Sequence, residues 1–173
     1  MELVDLYDEE RHPLGRTAPR FSKREKGEWR LIAHLCIFDS RGRLLLQKRS
    51  VGKRVWPGKW DVSAAGGVAA GETTREAAAR ELEEELGIVW DLQGEPPALT
   101  VTFDHGFDDI YLLRGEVDAS ALRLQPSEVA QAKWADREEV FAMMADGRFV
   151  PYHESLVELL FAMRKRTDGL REE

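Results

Sequence analysis

The sequence predicts an α/β protein in which a mixed β-sheet is sandwiched between α-helices. Short apolar segments bounded by Gly, Pro and Asp recur along the chain, which is typical of β-strands. Three helical patterns accompany them, one near the middle and two near the carboxyl end. With 173 residues, of which 43% are hydrophobic and 33% charged, the chain is predicted to form a single domain, residues 1–173.

The order of elements follows from apolar runs and turn residues. Residues 1–27 are polar and contain Pro13, Gly15, Pro19 and Gly27, so we expect an irregular N-terminal arm with a short strand near residues 2–7. The further strands are predicted at residues 29–38, 43–48, 60–65, 88–92, 98–104 and 108–117, and through Lys133-Trp134. Two helices follow, at 136–145 and 152–165, and the tail 167–173 is predicted to be frayed.

The central helix carries the strongest signals. Thr73 and Glu76 have the spacing of a capping box, and Gly87 is placed to end the helix. Along it, Ala78, Leu82 and Leu86 recur at the spacing of a core-facing stripe. These positions therefore predict an amphipathic helix ending at Gly87.

A second face of this helix is acidic. Glu81, Glu84 and Glu85 fall at positions i, i+3 and i+4, so their carboxylates share one side. Like charges at this spacing repel each other, and a divalent cation would offset the repulsion. Carboxylate oxygens suit Mg²⁺ or Mn²⁺, whose remaining ligands are commonly water and substrate phosphates. Arg80, four residues before Glu84, could hold a carboxylate in place or simply neutralise the cluster.

Residues 66–88 resemble the complete signature of the Nudix hydrolase family. Gly66 is followed after five residues by Glu72, and after seven more by Arg80-Glu81-Leu82-Glu83-Glu84-Glu85-Leu86-Gly87-Ile88. The resemblance implies a loop–helix–loop that hydrolyses a diphosphate linked to another moiety. It also implies roles for the matching residues: metal ligation by Glu81, Glu84, Glu85 and the Gly66 carbonyl, support by Glu72, orientation by Arg80, and Glu81 as the base.

A wider resemblance places the chain near isopentenyl-diphosphate isomerase and its hydrolase-like relatives. It rests on the arm Asp5-Leu6-Tyr7-Asp8-Glu9, on Leu45-Leu46-Gln47-Lys48-Arg49, and on Trp56-Pro57-Gly58-Lys59-Trp60-Asp61. It implies diphosphate contacts from Arg49 and Lys53, which guanidinium and ammonium groups suit. The isomerase needs a cysteine and a histidine where this chain has Ala65 and Gly67, so hydrolysis is favoured. Trp56 and Trp60 are expected to be packing residues.

The sequence leaves the substrate open. We expect a nucleoside diphosphate derivative or a nucleoside di- or triphosphate, with a non-catalytic diphosphate sensor and the isomerase as alternatives. One more acid could join the metal site: Glu128, or else Asp104, Asp108 or Asp109.

Composition limits the partners. A net charge of −7 argues against nucleic-acid binding. With no apolar run of membrane-spanning length and no secretory segment, the expected location is cytoplasmic, without a membrane partner. The single cysteine, Cys36, is expected to be a core residue. The apolar stripe of Leu156, Leu159, Leu160 and Met163 would serve the core or a homodimer contact.

Overall fold

The computed structural model describes residues 2–165. Within that range the chain forms nine strands and three α-helices, followed by a single 3₁₀ turn at Met163–Lys165. The strands are β1 (Leu3–Tyr7), β2 (Pro13–Pro19), β3 (Arg30–Phe38), β4 (Leu44–Arg49), β5 (Trp60–Asp61), β6 (Ala64–Gly67), β7 (Leu99–Phe103), β8 (Gly106–Arg114) and β9 (Val129–Ala135); the helices are α1 (Thr74–Leu86), α2 (Arg137–Ala145) and α3 (Glu154–Ala162).

Strand β3 is the centre of a seven-stranded mixed sheet. It runs parallel to β8 over its whole length and antiparallel to β6 from Ile32 to Leu35. It pairs with β4 only through Phe38 and Leu44, and β4 continues the sheet through β5 and β9. Because β4 and β6 leave the same edge of β3 at different points, the two halves of the sheet diverge there.

The two faces of the sheet bury separate hydrophobic clusters. On β3, Leu35 and Ile37 belong to the cluster packed against α1, whereas Cys36 and Phe38 belong to the cluster packed against α2 and α3. This is the period-2 alternation of a strand whose two faces are both covered. The predicted sheet between helices is therefore confirmed, and Cys36 is a fully buried core residue as expected.

The N-terminal arm is more regular than predicted. The expected strand near residues 2–7 is present as β1, and it pairs antiparallel with β2, which the sequence analysis did not predict. Strand β2 is mostly exposed and has a proline at each end, so its composition resembles that of a loop. Its pairing partner is what makes it a strand.

Other predicted elements also differ from the structure. Residues 88–92 are not a strand: Leu92 is buried in the core outside the sheet, while Val89 is exposed. Their apolar character reflects packing and not a sheet. The last helix is shorter than 152–165 and ends at Ala162 before the 3₁₀ turn. The predicted tail, 167–173, lies outside the described residues. Among residues 2–165, no helix combines the length and apolar character needed to cross a membrane.

Candidate active site

Helix α1 has the predicted caps, which fix its position. The Thr73 side chain accepts from the Glu76 amide, and the Glu76 side chain accepts from the Thr73 amide. At the other end Gly87 is left-handed, with φ 70°, and its amide donates to the Glu83 carbonyl. This conformation favours glycine and lets the chain turn away after Leu86.

The acidic face of α1, defined as Glu81, Glu84 and Glu85, is graded in burial. Glu85 is 2% exposed and Glu81 7% exposed, whereas the side chain of Glu84 is 54% exposed. The predicted core stripe lies beside them, with Ala78, Leu82 and Leu86 buried. Two carboxylates are thus held inside the protein and a third lies at the rim.

Arg80 connects Glu81 and Glu84 to Glu72 in the loop before the helix through hydrogen bonds. Its Nε and Nη2 donate to the two carboxylate oxygens of Glu72 at 2.7 and 3.0 Å. Its Nη1 donates to Glu81 at 2.9 Å and to Glu84 at 3.3 Å. Nη2 also reaches the Gly67 carbonyl at 3.2 Å. A planar guanidinium can form such a fork, whereas a lysine cannot.

Glu85 has a different set of neighbours. Gln47 on β4 donates to its Oε2 at 2.6 Å, and the Lys53 ammonium lies 3.9 Å from its Oε1. Lys53 in turn forms an ion pair with Glu128. The structure therefore places Lys53 between two carboxylates. Gln47 is a site residue that the sequence analysis missed, because its role depends on the β4 register.

Burial and like charge shift the titration of these groups. Burial, and then the neighbouring charge of Glu81, raise the pKa of Glu85 to about 7. Burial also raises the pKa of Glu81, against the lowering effect of Arg80. Hydrogen bonds from Arg80 lower the pKa of Glu72. The two buried carboxylates are thus costly to ionise without a further positive charge.

The donor set fits a divalent cation. Among residues 2–165, one oxygen of each acidic-face carboxylate (Oε2 of Glu81, Oε1 of Glu84 and Oε1 of Glu85) accepts no hydrogen bond from the protein. Gly66 lies against Glu81, since a Cβ at this position would overlap its carboxylate. Hard oxygen ligands beside a close-approaching glycine suit Mg²⁺ or Mn²⁺.

Two members of the acidic face, Glu81 and Glu84, line a cleft, hereafter the acidic cleft. Five carboxylates line it against three cations; these residues are Glu2, Glu72, Glu81, Glu84, Glu128, Arg20, Lys53 and Arg80. The excess of negative charge would repel a phosphate compound, and a bound divalent ion would reverse that. The arrangement can therefore seat a metal and admit a phosphate to it.

Comparison with known proteins decides the family. The family model for the NUDIX domain matches residues 28–160, which is more than half of the chain. The chain belongs to the Nudix family. It is a Nudix pyrophosphohydrolase, and enzymes of this family act on small organic diphosphates and generally use divalent metals.

Individual relatives agree with this assignment. The chain is 42% identical to the uncharacterized Nudix hydrolase lmo0368 of Listeria monocytogenes, over 96% of this chain and 98% of that protein. It is 31% identical to an isopentenyl-diphosphate Delta-isomerase of Clavibacter michiganensis, over 99% and 92%. The crystal structure of DR0079 from Deinococcus radiodurans is similar, with a TM-score of 0.71, 25% identity and coverage of 92% and 97%. The predicted resemblance to Nudix hydrolases and to the isomerase branch is thereby confirmed.

A second cavity, hereafter the side cavity, lies where the two halves of the Nudix sheet diverge. Its volume is about 280 Å³, and its lining combines residues of β3 and β6 with residues of β4, β5 and the loops around them. Gly66 and Gly67 form part of its wall, and Arg20 lines both this cavity and the acidic cleft, so the two adjoin. This position suits the organic part of a substrate.

Arg49 lines the side cavity, whereas Lys53 lines the acidic cleft. Its Nη1 donates to Asp61 at 3.1 Å, and its Nε donates to the Val55 carbonyl at 3.0 Å. The guanidinium is buried and its charge is balanced by Asp61. The two predicted phosphate-binding residues are thus separated, one in each pocket.

A chain of hydrogen bonds continues from Asp61 into the sheet. The Tyr152 hydroxyl donates to Asp61 at 2.7 Å and lies 3.0 Å from His34 Nε2, while His34 Nδ1 lies 2.7 Å from Asp108. Although burial opposes it, the Asp108 carboxylate holds the pKa of His34 above its ordinary value. An imidazolium that donates from both nitrogens would satisfy this chain completely.

Trp56 is not a packing residue, contrary to expectation. It is 46% exposed, lines the side cavity and has a positive φ of 49°, which is unusual for a bulky residue. Trp60 is buried and packs in the core as expected. The sequence could not separate the two, because both lie in one short aromatic segment.

The candidate acids outside the signature are also separated. Glu128 lines the acidic cleft through its pairing with Lys53. Asp108 pairs with His34, and Asp109 accepts from Arg11, Thr74 and Thr100. Asp104 is almost fully exposed in a turn. Of these four acids, only Glu128 lies beside the acidic face.

Another cluster of potential ligands occurs in the β1–β2 turn and has a structural explanation. Asp8, Glu10 and His12 lie close together. The Asp8 carboxylate accepts from the amides of Glu10 and His12 at 3.0 and 2.7 Å. This is an Asx-type turn on the exposed hairpin, so the proximity of the three side chains follows from the turn.

Proposed function

We propose that this Nudix enzyme is a Mg²⁺-dependent hydrolase of a nucleoside diphosphate derivative or of a nucleoside di- or triphosphate, with Mn²⁺ as an alternative ion. One observation carries the proposal: Arg80 holds Glu81 and Glu84 of the acidic face in a cleft, with Glu85 buried beside them, and this cleft adjoins a cavity that could take an organic group. An acid-rich cleft alone would not select an organic diphosphate, but the cleft and the cavity together offer room for both of its parts.

In this proposal Gly66, Glu72, Glu81, Glu84 and Glu85 form the metal site, Gly66 through its carbonyl. Glu72 would act mainly through Arg80, since both of its carboxylate oxygens accept hydrogen bonds from that guanidinium. A bound divalent ion would neutralise charge on the phosphates and lower the pKa of a nearby water.

Glu81 is the proposed base. Its Oε2 is free of protein hydrogen bonds, while Arg80 fixes its Oε1. Glu81 would take a proton from the attacking water as the water oxygen bonds to phosphorus. The bond from that phosphorus to the bridging oxygen then breaks, and the second phosphate group leaves. Arg80 and Glu84 would hold this geometry.

Lys53 and Arg49 are the proposed substrate-binding residues. Lys53 lies at the acidic cleft, and its ion pair with Glu128 is part-exposed, so the ammonium could exchange a carboxylate for a phosphate. Arg49 would act from the side cavity, where its pairing with Asp61 fixes the guanidinium.

Hydrolysis is favoured over isomerisation by the chemistry of the side cavity. The only cysteine of the sequence, Cys36, is fully buried in the core, and burial raises the pKa of its thiol. Ala65, at the position where the isomerase has its cysteine, cannot move a proton. A non-catalytic sensor is disfavoured because such a role does not require this complete set of carboxylates.

A substrate panel tests the proposal. Nucleoside di- and triphosphates, sugar nucleotides, dinucleoside polyphosphates and five-carbon diphosphates would be incubated with Mg²⁺, and ³¹P NMR in ¹⁸O-water would show which phosphorus is attacked. We expect turnover of a nucleotide, with Glu84→Gln reducing kcat by about 100-fold or more, in the range typical of lost transition-state stabilisation. The control Glu83→Gln, on the exposed side of α1, should keep wild-type activity.

Two results would contradict the proposed function. Unchanged kcat in Glu84→Gln would remove the role of the acidic face, and tight binding without turnover of any compound would favour the sensor. A cytoplasmic location, a homodimer and the lack of a nucleic-acid partner remain predictions from the sequence.

A further inference from the structure

The side cavity carries an excess of positive charge in a protein that is acidic overall. Three guanidiniums line it, those of Arg20, Arg30 and Arg49, against the single carboxylate of Asp61. Arg49 and Asp61 neutralise each other at 3.1 Å. Of the other two, Arg20 pairs with Glu2, which does not line this cavity, and Arg30 forms no ion pair among residues 2–165, although the net charge of the chain is −7.

Arg30 lacks a carboxylate partner within residues 2–165. Its hydrogen bond goes from Nη1 to the backbone carbonyl of Arg20 at 3.3 Å. Burial, and then the charges of Arg24 and Arg20, lower the pKa of Arg30. A partly buried cation among other cations is unfavourable, and an anion bound in the cavity would relieve that cost.

Arg20 connects this cavity to the reaction site, since it lines both the side cavity and the acidic cleft. Its side chain fills the space beside Gly67, where an added Cβ would lie 2.9 Å from Nε. Its carboxylate partner, Glu2, is partly exposed, at 2.8 Å. Exposed ion pairs are weak, so a phosphate could replace Glu2 at low cost.

The entrance of the cavity is aromatic. Phe21 and Trp56 line it and are both about half exposed. The Arg20 guanidinium lies over the Phe21 ring at 5.3 Å. Side chains of this kind suit a planar organic group next to a charged one.

We infer that Arg30 and Arg20 form an anion subsite for a phosphate carried on the organic part of the substrate, and that the enzyme prefers organic diphosphates bearing such a further phosphate. Paired guanidiniums bind a phosphate dianion through several charge-assisted hydrogen bonds. The inference rests on the proposed function for the scissile diphosphate, but it concerns a different group of the substrate.

Kinetics on matched nucleotides test the subsite. The probes are ADP, its analogue with an additional 3′-phosphate, and ATP, whose third phosphate extends the chain instead. We expect kcat/KM with Mg²⁺ to be at least about tenfold higher for the 3′-phosphorylated compound than for ADP, a difference of about 1.4 kcal/mol. Arg30→Gln should reduce this ratio to below about three, and Lys23→Gln, an exposed charge removal in the same segment, should keep it.

A ratio near one in the wild-type enzyme, or a ratio that survives in Arg30→Gln, would overturn the inference. An equal gain with ATP that Arg30→Gln abolishes would overturn the placement of the phosphate on the organic part. Arg20→Gln provides a second variant should Arg30→Gln fail to fold, and it should reduce the same ratio.

Calorimetric binding separates this inference from the proposed function. The metal-free protein would be titrated with adenosine 3′,5′-bisphosphate and with AMP. Tighter binding of the bisphosphate that is lost in Arg30→Gln supports the subsite even if no nucleotide is hydrolysed, in which case only the proposed function fails. Equal affinities for the two compounds would overturn the subsite even if ADP is hydrolysed rapidly.

Discussion

Replacing Glu85 by glutamine should stabilise the metal-free protein. Glu85 is almost fully buried next to Glu81, and its hydrogen bond from Gln47 can be kept by a glutamine carbonyl. The substitution therefore removes a buried negative charge while leaving the shape of the site nearly unchanged. It isolates the energetic cost of holding the acidic face together without a cation.

The magnitude follows from the titration of this group. The folded protein holds the pKa of Glu85 at about 7, against 4.5 for an unperturbed glutamate. At about 1.36 kcal/mol for each pH unit between these values, the ionised carboxylate costs about 3 kcal/mol of folding free energy at pH 8. Because the folded pKa is the raised one, the cost is absent below pH 4.5 and grows as the pH rises toward 7.

Urea and thermal unfolding in EDTA measure this cost. At pH 8 we expect Glu85→Gln to raise the melting temperature by roughly 6 to 12 °C for a chain of this size, with most of the gain gone at pH 5. The control Glu83→Gln, on an exposed position, should change stability by less than about 0.5 kcal/mol. Added Mg²⁺ should stabilise the wild type more than Glu85→Gln. A variant no more stable than wild type at pH 8, or a gain that is equal at both pH values, would refute the reasoning.

Two further substitutions test how the site is held. Arg80→Lys keeps the positive charge but loses the forked hydrogen bonds to Glu72 and Glu81. In steady-state kinetics we therefore expect kcat to fall at least about tenfold and the Mg²⁺ concentration for half-maximal activity to rise. Normal activity in this variant would contradict the positioning role of Arg80. Gly66→Ala should displace the Glu81 carboxylate, because the new Cβ would overlap it. We expect a strong decrease in kcat and a loss of about 1–3 kcal/mol of stability in urea unfolding. Wild-type values in both assays would contradict the close approach of Gly66 to Glu81.

Helix α1 was predictable because its signals are local. The Thr73 cap, the Gly87 terminus and the spacing of Glu81, Glu84 and Glu85 all lie within one short segment, and each acts through neighbours three or four residues away. The apolar run of β3 was equally clear, since both faces of that strand are buried. Local chemistry therefore determined the acidic face and the centre of the sheet.

The partners of the acidic face were not predictable, because they come from distant segments. Gln47 meets Glu85 only through the register of β4, and Lys53 meets Glu128 across 75 residues of chain. Strand β2 was missed for a related reason: its exposed residues carry no apolar pattern, and only pairing with β1 defines it. Sequence patterns that relate residues a few positions apart therefore cannot predict these contacts.

The acidic cleft and the side cavity carry opposite charge, and this difference would orient a substrate that spans them. Carboxylates outnumber cations in the lining of the acidic cleft, so we expect it to need a bound cation before it accepts phosphate, whereas guanidiniums outnumber carboxylates in the lining of the side cavity, so we expect it to bind an anion without a metal. Arg20 lies at the boundary of both and requires the missing side chain of Gly67 to do so. A substrate with negative charge at both ends would therefore enter the side cavity with one end and reach the metal with the other only after the ion is bound. If so, metal-free protein should still bind adenosine 3′,5′-bisphosphate, and Mg²⁺ should strengthen the binding of diphosphates much more than that of monophosphates.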